Sequence, residues 1–153
     1  MRSSILVVLL IATLLLIALA SQITKRGEEL DLESAYIKVV GQSFIGLQYT
    51  KEITLYRTDS GFHLIYRCEA KKGFEGLCKH RQVEKQVETD RVKEFLEKVQ
   101  SLEDEGERAK CCDHSWTEIE LTYVNGTVRK LTVAFEPLKV EEIFGIFKSS
   151  ENH

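Results

Sequence analysis

The chain has 153 residues, of which 43% are hydrophobic and 29% charged, and its formal net charge is −3. This size and mixture are typical of one folded domain with a real core, and they exclude a disordered or low-complexity chain. The mildly acidic balance argues against nucleic acid as a partner, since proteins that bind it usually present a concentrated basic face. We expect no cofactor, because the sequence has no glycine-rich phosphate loop and no catalytic zinc motif.

The first twenty residues predict a secretory signal peptide. Residues 5–20 carry no charge, follow the basic residue Arg2 and end in Ala-Leu-Ala before Ser21, which is the pattern of a cleavage site. As a helix this segment would extend roughly 24 Å, less than the hydrocarbon core of a bilayer. Cleavage predicts a secreted protein, extracellular or periplasmic. The alternative is a signal anchor, which would make the chain a membrane-tethered accessory subunit if residues 5–20 stay in the bilayer.

The rest of the chain is expected to form a single domain at residues 30–150, after a mobile polar lead at residues 21–29. No repeat or low-complexity linker interrupts this part of the sequence. Residues 30–50 fit a short helix followed by an extended segment, although strands at 36–40 and 44–49 fit as well. We expect the helix.

Two β-hairpins are the clearest elements of the sequence. The first spans about residues 52–68, where a four-residue loop, Thr58 to Gly61, places Leu55 and Ile53 opposite Leu64 and Tyr66. The second spans about residues 117–135 and turns at an Asn-Gly pair. Its apolar residues have odd numbers on both sides of the turn, so a three-residue loop with a left-handed glycine keeps them on one face.

Two helices complete the predicted fold. Apolar residues recur at intervals of three and four within residues 89–102 and again within residues 138–148. The charged stretch 79–98 is interpreted as a solvated helix face. The order hairpin, helix, hairpin, helix predicts an α+β domain: an antiparallel four-stranded sheet with the helices on one face. The other sheet face is mixed in character and either meets solvent or receives a partner.

The four cysteines predict two disulfides. Cys68, Cys78, Cys111 and Cys112 all follow the leader, and an even number in an exported chain favours bonded cysteines. A bond between Cys111 and Cys112 would be strained, because the Cα atoms of neighbouring residues are only about 3.8 Å apart. We therefore expect Cys68 and Cys78 each to pair with one member of the adjacent pair.

A metal site is the alternative interpretation of the same region. Cys78 with His80, and Cys112 with His114, form two Cys-x-His pairs, and two sulfur and two nitrogen ligands suit tetrahedral zinc. An oxidising compartment favours disulfides over thiolate ligands, so we rank the metal second. A redox role for the adjacent Cys111 and Cys112 is a further alternative, although no Cys-x-x-Cys motif supports it. Catalysis by Cys112 and His114 is disfavoured, because neighbours on one loop seldom have the geometry of a nucleophile and its base.

One modification motif is present. Asn125 begins the sequence Asn-Gly-Thr, an acceptor for N-glycosylation in an exported eukaryotic protein, and it lies at the tip of the second predicted hairpin.

The sequence as a whole predicts a small exported, non-enzymatic binding module that disulfides stabilise. The expected partner is another macromolecule, most simply a protein, with a membrane involved only if the N-terminal segment is retained. A metal-binding protein and a membrane-tethered subunit are the alternatives. The pattern does not identify the partner, because a layout of this kind is shared by many unrelated functions.

Overall fold

The computed structural model describes residues 10–19, 31–79 and 81–147. Two compact units can be separated in this part of the chain: a helix, α1, at residues 10–19, and a domain that begins at Leu32. Among the described residues, no helix combines the length and apolar character needed to cross a bilayer. The predicted leader falls within the described structure only at α1, and the predicted lead at residues 21–29 lies outside it.

The domain is built on a six-stranded antiparallel sheet. Its strands lie in the order β4-β3-β2-β1-β5-β6, so that the two longest strands occupy the centre. The strands are β1 (Leu32–Ser43), β2 (Gly46–Thr58), β3 (Gly61–Ala70), β4 (Gln82–Val87), β5 (Trp116–Tyr123) and β6 (Val128–Ala134). The prediction of a four-stranded sheet is therefore wrong, while the α+β class of the domain stands.

The first unpredicted strand is β1, where we expected a short helix. Its buried residues Ala35, Ile37 and Val39 alternate with more exposed ones, which is the period of a strand. Two residues, Ile37 and Val40, also have the spacing of a helix face, and this coincidence misled the sequence interpretation. The strand is favoured because it pairs with β2 on one side and β5 on the other.

The second unpredicted strand is β4, which lies at one edge of the sheet. It falls inside the charged stretch that we interpreted as a helix face. Val83 and Val87 point toward the core, Lys85 lies between them on the same side of the strand, and the other side chains of β4 are exposed. A short, charged strand is typical of a sheet edge, because it discourages pairing with other chains.

The two predicted hairpins are confirmed, with longer first strands than expected. Leu55 lies opposite Leu64, as predicted, but the turn between β2 and β3 contains two residues rather than four, because Thr58 and Gly61 pair with each other and extend the ladder. The second turn has the predicted three-residue loop: the Tyr123 amide donates to the Thr127 carbonyl at 2.9 Å. Gly126 within it has a φ of +82°, the left-handed conformation that the parity argument required.

The helices cover the inner face of the sheet. Helix α2 (Thr89–Gln100) confirms the first predicted helix and buries Val92, Phe95, Leu96 and Val99. Helix α3 (Val140–Ile143) is much shorter than the predicted 138–148, because Gly145 takes a φ of +59° and ends it. The rings of Phe95 and Phe144 lie 5.4 Å apart and join the two helices.

The strand β6 at the other edge is covered by the chain itself. A carboxylate oxygen of Asp104 accepts the Thr132 amide at 2.8 Å, and one of Glu105 accepts the Ala134 amide at 3.1 Å. The Glu105 amide in turn donates to the Thr132 carbonyl at 2.8 Å. Bonds from the amides of Thr132 and Gly106 lower the pKa of Asp104. These bonds use backbone groups that an edge strand otherwise presents to other chains.

Candidate functional site

The turn between β1 and β2 exposes three large apolar side chains. Phe44 is 84% exposed, Ile45 56% and Leu47 51%. Gly46 has a φ of +99°, which allows the chain to reverse there. Turns are normally rich in small polar residues, so this composition is not explained by folding alone. We call residues 44–47 the apolar turn.

The apolar turn projects beyond the strands on both sides of it. Val40 pairs with Trp116, the first residue of β5, so β1 continues three residues further to Ser43. On the other side, Tyr49 pairs with Ala70, the last residue of β3. No charged residue occurs anywhere from Val39 to Thr50. The hairpin therefore ends in an uncharged tip, whereas the rest of the domain is rich in charged residues.

The tip is held in shape by contacts within the hairpin. The side-chain amide of Gln48 donates to the Ser43 hydroxyl at 2.9 Å, which links the two strands next to the turn. A Cβ atom added to Gly41 would overlap the ring of Tyr49, so this ring lies directly on the glycine of the neighbouring strand. The apolar side chains therefore stand on a fixed base.

A loop that carries two free cysteines lies against the base of the tip. We call residues 111–115 the cysteine loop; it joins a 3-10 helix at Gly106–Lys110 to β5. The side-chain amide of Gln42 donates to the carbonyl oxygen of Cys112 at 2.9 Å and to that of Lys110 at 3.4 Å. Cys111 and Cys112 are both exposed. Cys112 has a φ of +74°, which is unusual for a residue with a side chain.

The two thiols of this loop interact with each other. A hydrogen bond with Cys111 raises the pKa of Cys112, and negative charge on Cys111 and Asp113 adds to the effect. Cys112 therefore holds its proton more firmly than an ordinary cysteine does.

A second strained residue lies at the same end of the sheet. Phe135 follows β6, has a φ of +63° and is 59% exposed. Its amide donates to the Ser115 carbonyl at 2.6 Å, and its carbonyl accepts the Thr117 hydroxyl at 2.8 Å. Its ring lies 4.6 Å from that of His114. A large residue in this conformation is costly and is often kept for a function rather than for stability.

The cysteine pairing differs from the one predicted. Cys68 is bonded to Cys78, and Cys111 and Cys112 are free. The expected cross-pairing is therefore wrong in this structure. Cys68 lies on the inner face at the end of β3, and the chain returns to it through a 3-10 turn at Glu75–Leu77, so the nearer cysteine in sequence is also the nearer one in space.

The four candidate zinc ligands do not form a site in the described part of the chain. Cys78 has no thiolate to offer because it is bonded to Cys68. His114 uses its Nδ1 atom in a 2.8 Å hydrogen bond with the Ser115 carbonyl. His80 lies outside the described residues. Cys112 is exposed in the cysteine loop, and within the described ranges no group of three or more metal-binding side chains occurs.

A half-buried charged cluster lies on the inner face, beside the sheet. Lys51 Nζ is 2.7 Å from a carboxylate oxygen of Glu141 and 3.2 Å from one of Glu136. Burial would lower the pKa of Lys51, but its bonds to the two carboxylates outweigh this effect and raise it. Burial raises the pKa of Glu136, and the charge of Glu141 adds to the rise against the opposing effect of Lys51. Burial is also the main reason why the pKa of Tyr66 rises to about 12.

This cluster lines an open pocket of about 550 Å³, together with Leu77 and Phe147. Two carboxylates share one ammonium group there, so the cluster carries one excess negative charge when all three groups are ionised. Its polar atoms already bond to one another, which favours a structural role that ties β2 to the chain before and within α3.

The glycosylation candidate occupies the opposite end of the sheet. Asn125 is exposed in the turn between β5 and β6, and its side-chain oxygen accepts the Thr127 amide at 2.9 Å. The side-chain nitrogen, to which a glycan would be attached, therefore lies in an accessible turn.

Comparisons with protein-family models, with curated proteins and with solved structures found no significant match. The candidate site therefore rests on geometry alone. Sequence analysis did not single out the apolar turn or Lys51. A signal for the turn was present, because the twelve residues from Val39 to Thr50 lack charge and include three large apolar residues around Gly46.

Proposed function

We propose that this chain is a small exported, non-enzymatic binding module that recognises a protein through its apolar turn. The observation that carries the proposal is the exposure of Phe44, Ile45 and Leu47 on a tip that projects past its neighbouring strands. Exposed apolar groups that are clustered, rather than scattered singly, mark interaction sites. Phe135 adds a further exposed aromatic ring at the same end of the sheet.

The fixed shape of the tip favours a protein over a lipid surface as the partner. The Gln48–Ser43 hydrogen bond and the packing of Tyr49 on Gly41 hold the turn before any partner is present. A preorganised apolar anchor loses little conformational entropy when it enters a matching pocket, and such anchors contribute most of the binding energy in protein interfaces. A fluid bilayer makes no comparable demand on shape.

The proposal is tested by placing a photoreactive amino acid at position 44 of the full chain. A matched control places it at position 124, which is also apolar and exposed but lies in the turn at the opposite end of the sheet. Irradiation in the fluid that surrounds the native cells should link position 44, and not position 124, to one protein. Equal labelling at both positions, or a product formed with lipid or with a second copy, would contradict the proposal.

The captured protein is then purified and its affinity measured by calorimetry. The Phe44→Ser variant should bind at least about tenfold more weakly, because an anchor side chain at the centre of an interface contributes on the order of 1.4 kcal/mol or more. Val124→Ser serves as the control and should bind like the original chain. An unchanged affinity for Phe44→Ser would remove the apolar turn from the interface.

Export is the other part of the proposal, and the sequence of the leader supports it. N-terminal sequencing of native material from outside the cytoplasm should give a chain that begins at Ser21. A chain that still starts at Met1 and sediments with membranes would instead support the tethered subunit.

A further inference from the structure

The cysteine loop contains the only two free cysteines among the four in the sequence, and they are adjacent. Cys68 and Cys78 are bonded to each other, so neither is a partner for the loop. Both loop cysteines are exposed and thus accessible to soluble reagents. The binding function proposed above uses neither of them.

The arrangement distinguishes the two thiols from each other. A hydrogen bond with Cys111 raises the pKa of Cys112, and the charge of Asp113 adds to the rise. Because the thiolate is the reactive form, the raised pKa disfavours Cys112 as the first nucleophile, and the reaction starts at the other exposed thiol, Cys111. Cys112 is adjacent in sequence and also exposed, so it is the thiol available to attack the sulfur of Cys111 in a second step.

The backbone on both sides of Cys111 is fixed from outside the loop. Gln42 bonds to the carbonyl of Lys110 before it and to that of Cys112 after it. Neighbouring Cα atoms are about 3.8 Å apart, whereas disulfides prefer about 4.4–6.8 Å. A bond between Cys111 and Cys112 is therefore strained, and strained exposed disulfides are readily reduced.

We propose that Cys111 and Cys112 form a thiol–disulfide exchange site that reacts with low-molecular-weight disulfides such as oxidised glutathione. The Cys111 thiolate attacks one sulfur of glutathione disulfide, the S–S bond breaks, and one glutathione thiolate leaves. Cys112 releases its proton to solvent and attacks the Cys111 sulfur, which expels the second glutathione and closes the Cys111–Cys112 bond. Two protein thiols are oxidised and one glutathione disulfide is reduced to two thiols. This activity does not depend on the proposed binding function.

The test exposes the full chain to glutathione buffers of increasing oxidised fraction, blocks free thiols with N-ethylmaleimide, and measures the mass of the peptide that contains both cysteines. We expect that peptide to lose two hydrogens in oxidising buffer. Reduced glutathione should restore the two thiols at a ratio of reduced to oxidised glutathione that leaves the Cys68–Cys78 bond intact. Trp116, the only tryptophan, directly follows the loop in sequence, so its fluorescence should change as the two cysteines are oxidised.

Two serine variants assign the steps. Cys112→Ser should stop at the mixed disulfide and accumulate glutathione on Cys111 about tenfold above the level in the original chain, because the resolving thiol is missing. Cys111→Ser should react with oxidised glutathione more slowly than the original chain does. Serine is close to cysteine in size and both positions are exposed, so circular dichroism should show an unchanged fold. Glutathione on both cysteines of the original chain, a linked dimer, or no reaction would each overturn the proposal.

Discussion

Gln42 donates its side-chain amide to the carbonyl oxygen of Cys112 at 2.9 Å, and this bond joins the base of the apolar turn to the cysteine loop. One amide group thus connects the two features of the molecule that folding does not explain. The bond attaches the loop to β1 two residues before Phe44. The two proposals made above are chemically independent, but they share this contact.

Replacing Gln42 with alanine should loosen the cysteine loop. The variant loses two hydrogen bonds at carbonyl groups, so we expect a loss of about 1 kcal/mol in the free energy of unfolding and faster alkylation of Cys111 and Cys112. Denaturant unfolding and the rate of reaction with N-ethylmaleimide measure the two effects. Gln48→Ala removes a bond to Ser43 instead, so an equal gain in thiol reactivity there would contradict this account.

Replacing Glu136 with glutamine should stabilise the protein at neutral pH. The pKa of Glu136 is raised in the folded state, so folding favours the protonated form of its carboxyl group. The resulting contribution to the free energy of unfolding is fully present below the pKa of the unfolded chain. It is lost as the pH rises through the pKa of the folded protein. Glutamine mimics the protonated form at every pH. We expect Glu136→Gln to gain up to about 1 kcal/mol at pH 7 and little at pH 4.

The matched variant Glu141→Gln should lose stability at pH 7, because Glu141 makes the closer contact with Lys51 at 2.7 Å. Thermal unfolding at both pH values measures the difference. A loss of stability for Glu136→Gln at pH 7 would show that Lys51 requires both carboxylates.

Replacing Phe135 with asparagine should stabilise the fold. The left-handed conformation of Phe135 costs an ordinary side chain roughly 1–2 kcal/mol, and asparagine tolerates it much better. We expect a gain of about 1 kcal/mol in urea unfolding, reduced in part by the lost contact with His114. Phe44→Asn is the control, because Phe44 is also a phenylalanine and is more exposed, but it does not have a positive φ. An equal gain in both variants would rule out relief of strain as the cause.

Replacing Gly41 with alanine should destabilise the hairpin below the apolar turn. The new Cβ would overlap the Tyr49 ring, and overpacking of this kind costs about 1–3 kcal/mol. In a Tyr49→Ala background the same change should cost much less, which a double-mutant cycle by chemical denaturation would measure. Gly76→Ala is the control, since a Cβ there meets no atom within 4 Å. Additive effects of Gly41→Ala and Tyr49→Ala would mean that the ring moves aside freely.

The predictable part of the fold is the part with a strong local signal. The turn at Gly126 and the parity of its flanking residues determined the second hairpin, and the apolar period around Phe95 determined α2. Strand β1 was missed because a central strand depends on partners distant in sequence, and Ile37 with Val40 fits a helix equally well. A short edge strand such as β4 has too few apolar residues to distinguish it from a charged helix face.

The candidate site was less predictable than the fold. The cysteines were recognised, but their pairing depends on how the chain returns after β3, and no local pattern contains that information. The cluster around Lys51 joins residues 85 positions apart in sequence. The apolar turn could have been found from its lack of charge, but the sequence alone does not show that it projects past its neighbours.

The carboxylates of Asp104 and Glu105 have a consequence for how copies of this domain could associate through their sheets. They occupy the backbone amides of Thr132 and Ala134 on β6, whereas β4 pairs only with β3 among the described residues. Strand addition is therefore blocked at Thr132 and Ala134 on one edge, whereas at the other edge only the charged side chains of β4 oppose it. A second copy joined there through its own β4 would place the two carboxylate-covered ends of β6 outermost, which would hinder the addition of further strands.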